Sequence, residues 1–272
     1  MDFYAILETL LQTADPAKKI SAFETFYAAY RNHECVKDAS HPVCNFKKPS
    51  YASFCTIVDP QRVPRRKNLG SVEGKVAMLH AIAHIEYSAI DLALDAAYRF
   101  RNLPDAFYDD WLEVANDEIR HFRMIETLLV ELGSRYGALS VHDALFEASQ
   151  RTAHSLLHRM AVVPRYLEAG GLDANPQILN RLEALKRDAM IARIIAALEV
   201  ILKEEIDHVR KGDRWFGYAL TLEGRDHSIY FDIIKHYYPD TLERHRSLNT
   251  KARLEAGFTC NELKRLAPQV EC

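Results

Sequence analysis

Glycine and proline are scarce in this sequence, with ten of each among 272 residues. Because these residues interrupt regular structure, their scarcity leaves long stretches in which apolar residues recur every three or four positions. The longest apolar stretch, 190–202, is broken by Arg193 and Glu199, so it is unsuited to crossing a membrane. The sequence therefore predicts an all-α protein without a membrane-spanning segment.

The sequence also lacks an excess of charge of one sign and a cysteine motif. Lys and Arg number 35 against 38 Asp and Glu, and this balance gives no general attraction to nucleic acid or anionic lipid. No Cys-x-x-Cys pair is present, so we expect free thiols at Cys35, Cys44, Cys55, Cys260 and Cys272. The first residues carry an acid where a signal peptide carries basic residues, which favours a cytoplasmic protein.

Breaks in the apolar periodicity predict three segments. Residues 1–70 contain two short amphipathic helices and a proline-containing loop, and residues 71–220 contain four long helical stretches. Residues 221–272 contain two shorter helices, predicted at 229–238 and 249–266. We predict helix A at 71–101, helix B at 105–132, helix C at 140–169 and helix D at 189–211. The main body is thus predicted to be a four-helix bundle with helical extensions at both ends.

Ionisable residues interrupt the apolar stripes of these four helices. They are Glu86 on helix A, Glu118 and His121 on helix B, Glu168 on helix C, and Glu205 and His208 on helix D. The windows 117–121 and 204–208 share an acid, a glutamate, an isoleucine and a histidine in the same order. Burying uncompensated carboxylates costs several kcal/mol each, out of roughly 5–15 kcal/mol of total stability. Two divalent cations would neutralise the four carboxylates.

The pattern of these residues matches a known kind of metal site. One glutamate from each of two helices and a Glu-x-x-His from each of the other two is the ligand set of di-iron and di-manganese carboxylate bundles. Spacing of three residues places the carboxylate and the imidazole on the same helix face. We therefore predict two iron ions, with manganese as the alternative, bridged by Glu118 and Glu205. Glu86 and Glu168 are predicted to be terminal ligands, and one histidine binds each ion.

Two neighbouring acids leave alternatives open. Asp117 can replace Glu118 as a ligand, and Glu204 can replace Glu205. We prefer to place Asp117 and Glu204 as outer residues, which do not bind the metal themselves. Each would orient a ligand imidazole by contacting the ring nitrogen that does not bind the metal. His84, two residues before Glu86, is placed in the same outer set.

Two histidine pairs, His80/His84 and His154/His158, also have a spacing that is compatible with metal binding. Neither pair has a carboxylate as well placed as those of the proposed ligands. We interpret them as half-buried or solvated residues, with proton transfer as the alternative.

Hairpin geometry gives a further prediction, because facing residues are equidistant from the turn that joins their helices. The midpoint of Glu86 and Glu118 falls at Asn102, where the sequence predicts a turn. The midpoint of Glu168 and Glu205 falls close to residue 187. We therefore predict that helix C is interrupted just after Glu168 and resumes through 178–186, with Asp188 capping helix D.

Several of these motifs together resemble an uncharacterised ferritin-like family, domain of unknown function 455, over about residues 60–257. The motifs are 84–86, 117–121, 164–169 and 205–208, followed by Arg214-Trp215-Phe216. The site is more distantly similar to that of the tRNA-hydroxylating di-iron monooxygenases, whose third ligand also lies in a Glu-Ala dipeptide. The resemblance implies a ferritin-like four-helix bundle with a di-metal centre.

A di-iron centre of this kind predicts O₂-dependent chemistry. The first hypothesis is an oxidase or hydroxylase that uses O₂ and an electron donor and acts on a small organic molecule or a tRNA base. The second is iron handling or peroxide detoxification without an organic substrate, and the third is a metal-stabilised binding module without turnover. The long segments before helix A and after the bundle argue against a storage cage.

Overall fold

Helices provide the regular structure of the computed structural model, which describes residues 1–64, 67–241 and 247–272. Across these ranges there is no β-sheet, and strand-like pairing is limited to isolated bridges between Asp2 and Val36 and between Ile57 and Val141. The predicted all-α class is confirmed. None of the helices in the same ranges has the length and hydropathy that crossing a membrane requires.

The chain forms two compact units, residues 1–150 and 151–272. The first unit contains α1 (Phe3–Gln12), α2 (Pro16–Arg31), α3 (Val72–Arg99) and α4 (Asp105–Glu131), and α5 (Ala144–Arg151) lies at its end. The second contains α6 (Leu156–Val162), a π-helical segment (Val163–Glu168), α7 (Ala169–Glu183), α8 (Ala189–Glu223), α9 (Ile229–Tyr237), α10 (Thr250–Glu255) and α11 (Cys260–Leu266). The predicted division at residues 70 and 220 stays a prediction.

In the first unit, α3 and α4 pack against each other as a hairpin. Ser71 caps α3, since its side chain accepts a hydrogen bond from the backbone N–H of Gly74. Between the two helices, Asn102 adopts a left-handed conformation with φ of 58°, which suits a tight turn. Helices A and B and the turn at Asn102 therefore lie where the sequence predicts them. The hairpin carries three of the predicted metal ligands.

In the second unit, α8 is the longest helix. Asp188 caps its start by accepting hydrogen bonds from the N–H groups of Met190 and Ile191, as predicted. The helix continues past the predicted end at Lys211 because Trp215, Phe216, Ala219 and Leu220 extend its buried stripe. It ends at Gly224, whose φ is 59°.

Helix C differs from its prediction. The predicted helix at 140–169 begins only at Ala144 and is interrupted between Arg151 and Leu156, so it consists of α5, α6 and the π-helical segment. Because α7 follows Glu168 directly, the predicted interruption after Glu168 is wrong. A further irregularity lies at Pro164, which has no N–H to donate and crowds the preceding turn. Gly170 and Gly171 stay helical, because each glycine costs only about 1 kcal/mol and α7 buries Leu172 and Leu182.

The C-terminal residues require two further corrections. The predicted helix at 249–266 is divided into α10 and α11 at Gly257, whose φ of 104° favours glycine. Cys260 and Cys272 form a disulfide rather than the predicted free thiols, whereas Cys35, Cys44 and Cys55 are free. The Cα atoms of the pair are 5.9 Å apart, a proximity that sequence spacing alone does not reveal.

At two glycine positions of α8, substitution by alanine is expected to have opposite effects on the free energy of unfolding. A Cβ at Gly212 would lie 2.2 Å from Cβ of Pro164, whose ring cannot rotate away, whereas a Cβ at Gly217 would meet no atom within 4 Å. We expect Gly212→Ala to lower the free energy of unfolding by about 3 kcal/mol. The matched control Gly217→Ala should raise it by about 0.5–1 kcal/mol. Urea unfolding of both variants tests this, and equal effects would contradict the close packing of α8 on Pro164.

Candidate metal centre

The α3–α4 hairpin brings together three of the predicted ligands. Glu86, Glu118 and His121 are 5%, 1% and 0% exposed, so all three ionisable groups are buried. One ligand atom from each lies within 4.8 Å of the others. Such a cluster of carboxylates and imidazole can hold a metal ion.

The electrostatics of this cluster favour a cation at its centre. His121 Nδ1 lies 3.3 Å from Oε2 of Glu86 and 3.6 Å from Oε2 of Glu118. Burial alone would lower the pKa of His121, but hydrogen bonding to Glu118 and Glu86 and the charges of both carboxylates raise it to about 11. The two carboxylates thus draw a positive charge into an apolar interior, and a divalent ion would supply more of it than one proton does.

A second Glu–His pair in the other unit has the same local geometry. On α8, His208 Nδ1 lies 3.6 Å from Oε1 of Glu205, the same separation as in the pair Glu118–His121. His208 is fully buried, and the Glu205 side chain is 15% exposed. Each motif therefore presents a carboxylate and an imidazole from one helix face, as the spacing predicts.

Glu168 is the last residue of the π-helical segment, which packs against α8. The residue is half-buried, and its Oε2 atom is buried. Extra residues in a π turn shift the direction of the side chains that follow, and such turns are frequent at functional sites. The assignment of Glu168 as a ligand stays a prediction.

The outer residues predicted from the sequence have different surroundings. Asp117 accepts a hydrogen bond of 2.7 Å from Arg120 near the surface. The acid that lies in the buried cluster with Glu86 and His121 is Glu118. Within the first unit this favours Glu118 over Asp117 as the ligand. Glu204 is half-buried on α8, and its orienting role stays a prediction.

His84 belongs to a different network from the one predicted. Its Nδ1 is 2.8 Å from the Tyr136 hydroxyl, and its Nε2 is 2.7 Å from the carbonyl oxygen of His142. Burial lowers the pKa of His84 to about 4, so the ring is neutral at physiological pH. Both ring nitrogens are therefore engaged by the segment that follows α4.

The other histidines of the two pairs also contact the protein itself. His80 Nε2 accepts hydrogen bonds from the N–H groups of Gly137 and Leu139, at 3.0 and 3.2 Å. In the second unit, His158 Nδ1 lies 2.9 Å from the Tyr237 hydroxyl, and its ring contacts that of His154. His80 and His84 are buried, so the prediction of half-buried or solvated residues is wrong for this pair. It is correct for the other pair, since His154 is exposed and His158 is half-buried.

Three aromatic residues beside the hairpin ligands form a cluster that the sequence does not reveal. Tyr87, Phe122 and Tyr136 lie in mutual ring contact, with centroids 5.2–5.4 Å apart. Tyr87 follows Glu86 in the chain and Phe122 follows His121. Tyr136 has no motif that marks it, because its partners come from α3 and α4 rather than from its own segment.

Comparison with known proteins places the chain in a family. The model of a protein family of unknown function, DUF455, matches residues 12–264. The chain belongs to this family. It is 38% identical over 271 residues to an uncharacterised protein of Haemophilus influenzae, an alignment that covers 96% of this chain and 92% of the relative. No solved structure matches the chain.

The DUF455 match confirms the family that the motifs predict and extends further than the predicted residues 60–257. It includes α2 and the segment that joins α2 to α3, as well as α10 and most of α11. Apart from α1, the helices outside the predicted bundle therefore lie wholly or mostly within the sequence that the family shares.

Proposed function

We propose that this DUF455 protein is a ferritin-like di-iron protein that uses O₂ to oxidise or hydroxylate an organic substrate. The observation that carries the proposal is the buried cluster of Glu86, Glu118 and His121 on one helical hairpin. Buried carboxylates are retained when they are paired or coordinate metal ions. A cluster with two carboxylates and one imidazole is typical of half of a dinuclear carboxylate site.

The matching pair on α8 supports the second half of the site. Glu205 and His208 repeat the spacing and the separation of Glu118 and His121. Together with Glu86 and Glu168, the two motifs supply four carboxylates and two imidazoles, which is the full ligand set of a dinuclear carboxylate bundle. We propose that Glu86, Glu118, Glu168 and Glu205 would provide the carboxylate ligands of such a centre, and that His121 and His208 would provide its imidazoles.

The donor set favours iron, with manganese as the alternative. Four oxygen donors and two imidazoles suit these ions, whereas structural zinc prefers thiolates and a closed tetrahedron. When bound, two ferrous ions supply the reduction of O₂, which amino-acid side chains do not carry out. The protein's own contribution is to hold the ligands in place and to exclude water, as the burial of Glu118, His121 and His208 indicates.

Anaerobic loading with Fe²⁺, followed by O₂, tests the proposal. We expect elemental analysis to find two iron ions per chain after desalting. After exposure to O₂ the ferric ions should stay bound, and their number should not increase. Growth of an iron core or release of ferric iron would assign the protein to iron handling instead. Failure to retain iron or manganese would overturn the proposed centre.

A further inference from the structure

The backbone of the π-helical segment is bonded in a register that differs from that of an α-helix. The N–H of Ala169 donates to the carbonyl oxygen of Pro164, five positions earlier. In an α-helix the same N–H would donate to the carbonyl oxygen of Arg165, four positions earlier. The π-helical register therefore leaves the Arg165 carbonyl oxygen open to a donor from outside the segment.

A tyrosine of α9 provides such a donor. The Tyr230 hydroxyl donates to the Arg165 carbonyl oxygen over 3.0 Å, and Tyr230 is 1% exposed. In an α-helical register the Ala169 N–H would compete with this hydroxyl for its acceptor. A buried hydroxyl that loses its partner is unfavourable. The hydrogen bond from Tyr230 thus stabilises the π-helical register relative to the α-helical one.

The Arg165 side chain fixes the same residue from within the unit. It is fully buried, with Nε 2.8 Å from Oδ1 of Asp213 and an N–H group donating to Oε1 of Glu262 over 2.9 Å. Three aromatic rings lie 4.5–4.8 Å from the centre of its guanidinium group, those of Phe216, Tyr230 and Phe258. Tyr230 therefore contacts Arg165 twice, at the guanidinium through its ring and at the carbonyl oxygen through its hydroxyl.

The backbone is also held on the other side of Glu168. The carbonyl oxygen of Ala169 accepts a hydrogen bond of 3.0 Å from the Arg253 guanidinium group. Arg253 is 2% exposed and also donates to Asp173 on α7 over 2.7 Å. Glu168 thus lies between two carbonyl groups, those of Arg165 and Ala169, that side chains from other helices bind.

The register determines the direction of the Glu168 side chain. Residues three apart lie on the same face of an α-helix, so an α-helical register would turn Glu168 toward the face of Arg165. In the π-helical segment the two side chains have different surroundings, since Arg165 is fully buried and Glu168 is half-buried. The direction of the Glu168 carboxylate therefore depends on the hydrogen bonds that maintain this register.

We propose that Tyr230 is a positioning residue for Glu168, because its hydroxyl holds the π-helical segment in the register that directs the Glu168 carboxylate to a metal ion. Tyr230 acts through the backbone of Arg165 rather than as a ligand. The inference rests on the proposed function, since it takes Glu168 as a ligand. It adds a residue of α9 to those that determine the metal affinity of the second unit.

Tyr230→Phe is the variant that tests this role, because it removes the hydroxyl and keeps the ring beside Arg165. Replacing Arg165 itself would leave the carboxylates of Asp213 and Glu262 without their cation and would endanger folding. Titration of the full-length protein with Mn²⁺, with free Mn²⁺ measured by electron paramagnetic resonance, gives the affinities. We expect Tyr230→Phe to weaken the binding of one of two Mn²⁺ ions by about 10-fold or more.

The control variant is Tyr218→Phe, at a half-buried tyrosine of α8 that contacts Trp215, and it should leave both affinities unchanged. A second background shows whether Tyr230 acts through Glu168. In Glu168→Gln, which itself weakens one ion, the further change Tyr230→Phe should cause no additional loss. An additional loss of the same size, or unchanged affinities in Tyr230→Phe, would overturn the proposal.

Hydrogen exchange of the metal-free protein separates this proposal from the di-metal centre. We expect residues 163–170 to take up deuterium faster in Tyr230→Phe than in the unaltered protein or Tyr218→Phe, since a bond that maintains the register is lost. Equal uptake would overturn the role of Tyr230, even in a protein that binds two ions. If the unaltered protein binds neither Mn²⁺ nor Fe²⁺, the proposed function is rejected, and faster uptake would still support the hold of Tyr230 on the segment.

Discussion

Replacing Glu118 with alanine should weaken the binding of Fe²⁺ or Mn²⁺ by about 100-fold or more, since loss of residues that only support a ligand already costs 10–100-fold. Glu118 is 1% exposed and shares its cluster with Glu86 and His121, so its removal deletes a proposed carboxylate ligand. Anaerobic calorimetric titration with Fe²⁺, or titration with Mn²⁺ in air, measures the change. The double variant Glu118→Ala/Glu205→Ala should bind neither metal tightly.

Matched controls come from the same helices. Glu113 on α4 and Glu199 on α8 are exposed, so alanine at either position removes the same charge without altering the buried cluster. We expect both controls to bind two ions per chain with unchanged affinity. Helix content from circular dichroism verifies that the ligand variants are folded. Two tightly bound ions in the folded double variant would reject the ligand assignment.

Features of the fold that depend on neighbouring residues could be predicted from the sequence. Ser71 and Asp188 cap α3 and α8 because a side-chain oxygen at that position reaches the N–H groups of the next turn. The sequence also predicts that Glu118 and His121 lie in an apolar stripe, since helical periodicity alone determines which face of a helix a residue occupies. Burial of both residues follows from that periodicity.

Features that depend on distant partners could not be predicted in this way. His84 was expected to support the ligands, but its ring nitrogens contact Tyr136 and His142, more than 50 positions away. The disulfide between Cys260 and Cys272 depends on how the last residues fold back toward α11. The close approach of Pro164, in the π-helical segment, to Gly212 of α8 is likewise a contact that no local pattern records.

The burial of Lys19 also depends on residues that are distant in the sequence. It has a large expected effect on the free energy of unfolding. Next to Lys18 in an amphipathic helix it has the appearance of a solvated residue, yet its side chain is 0% exposed. Its ammonium group donates to Asp91 on α3 and, over 2.8 Å, to the Ser50 hydroxyl. It also lies 5.0 Å from the centre of the Tyr87 ring. Burial, the main cause, lowers the pKa of Lys19 against the opposing charge of Asp91.

Lys19→Ala should lower the free energy of unfolding by about 3 kcal/mol, because it leaves the mostly buried Asp91 carboxylate without its cation. Lys18→Ala, at an exposed position of the same helix, should change it by about 0.5 kcal/mol or less. The double variant Lys19→Met/Asp91→Leu should recover much of the loss, since an apolar pair leaves no buried charge. Urea unfolding measures all three. A cost for Lys19→Ala as small as that of Lys18→Ala would show that the ion pair does not hold α2 on α3.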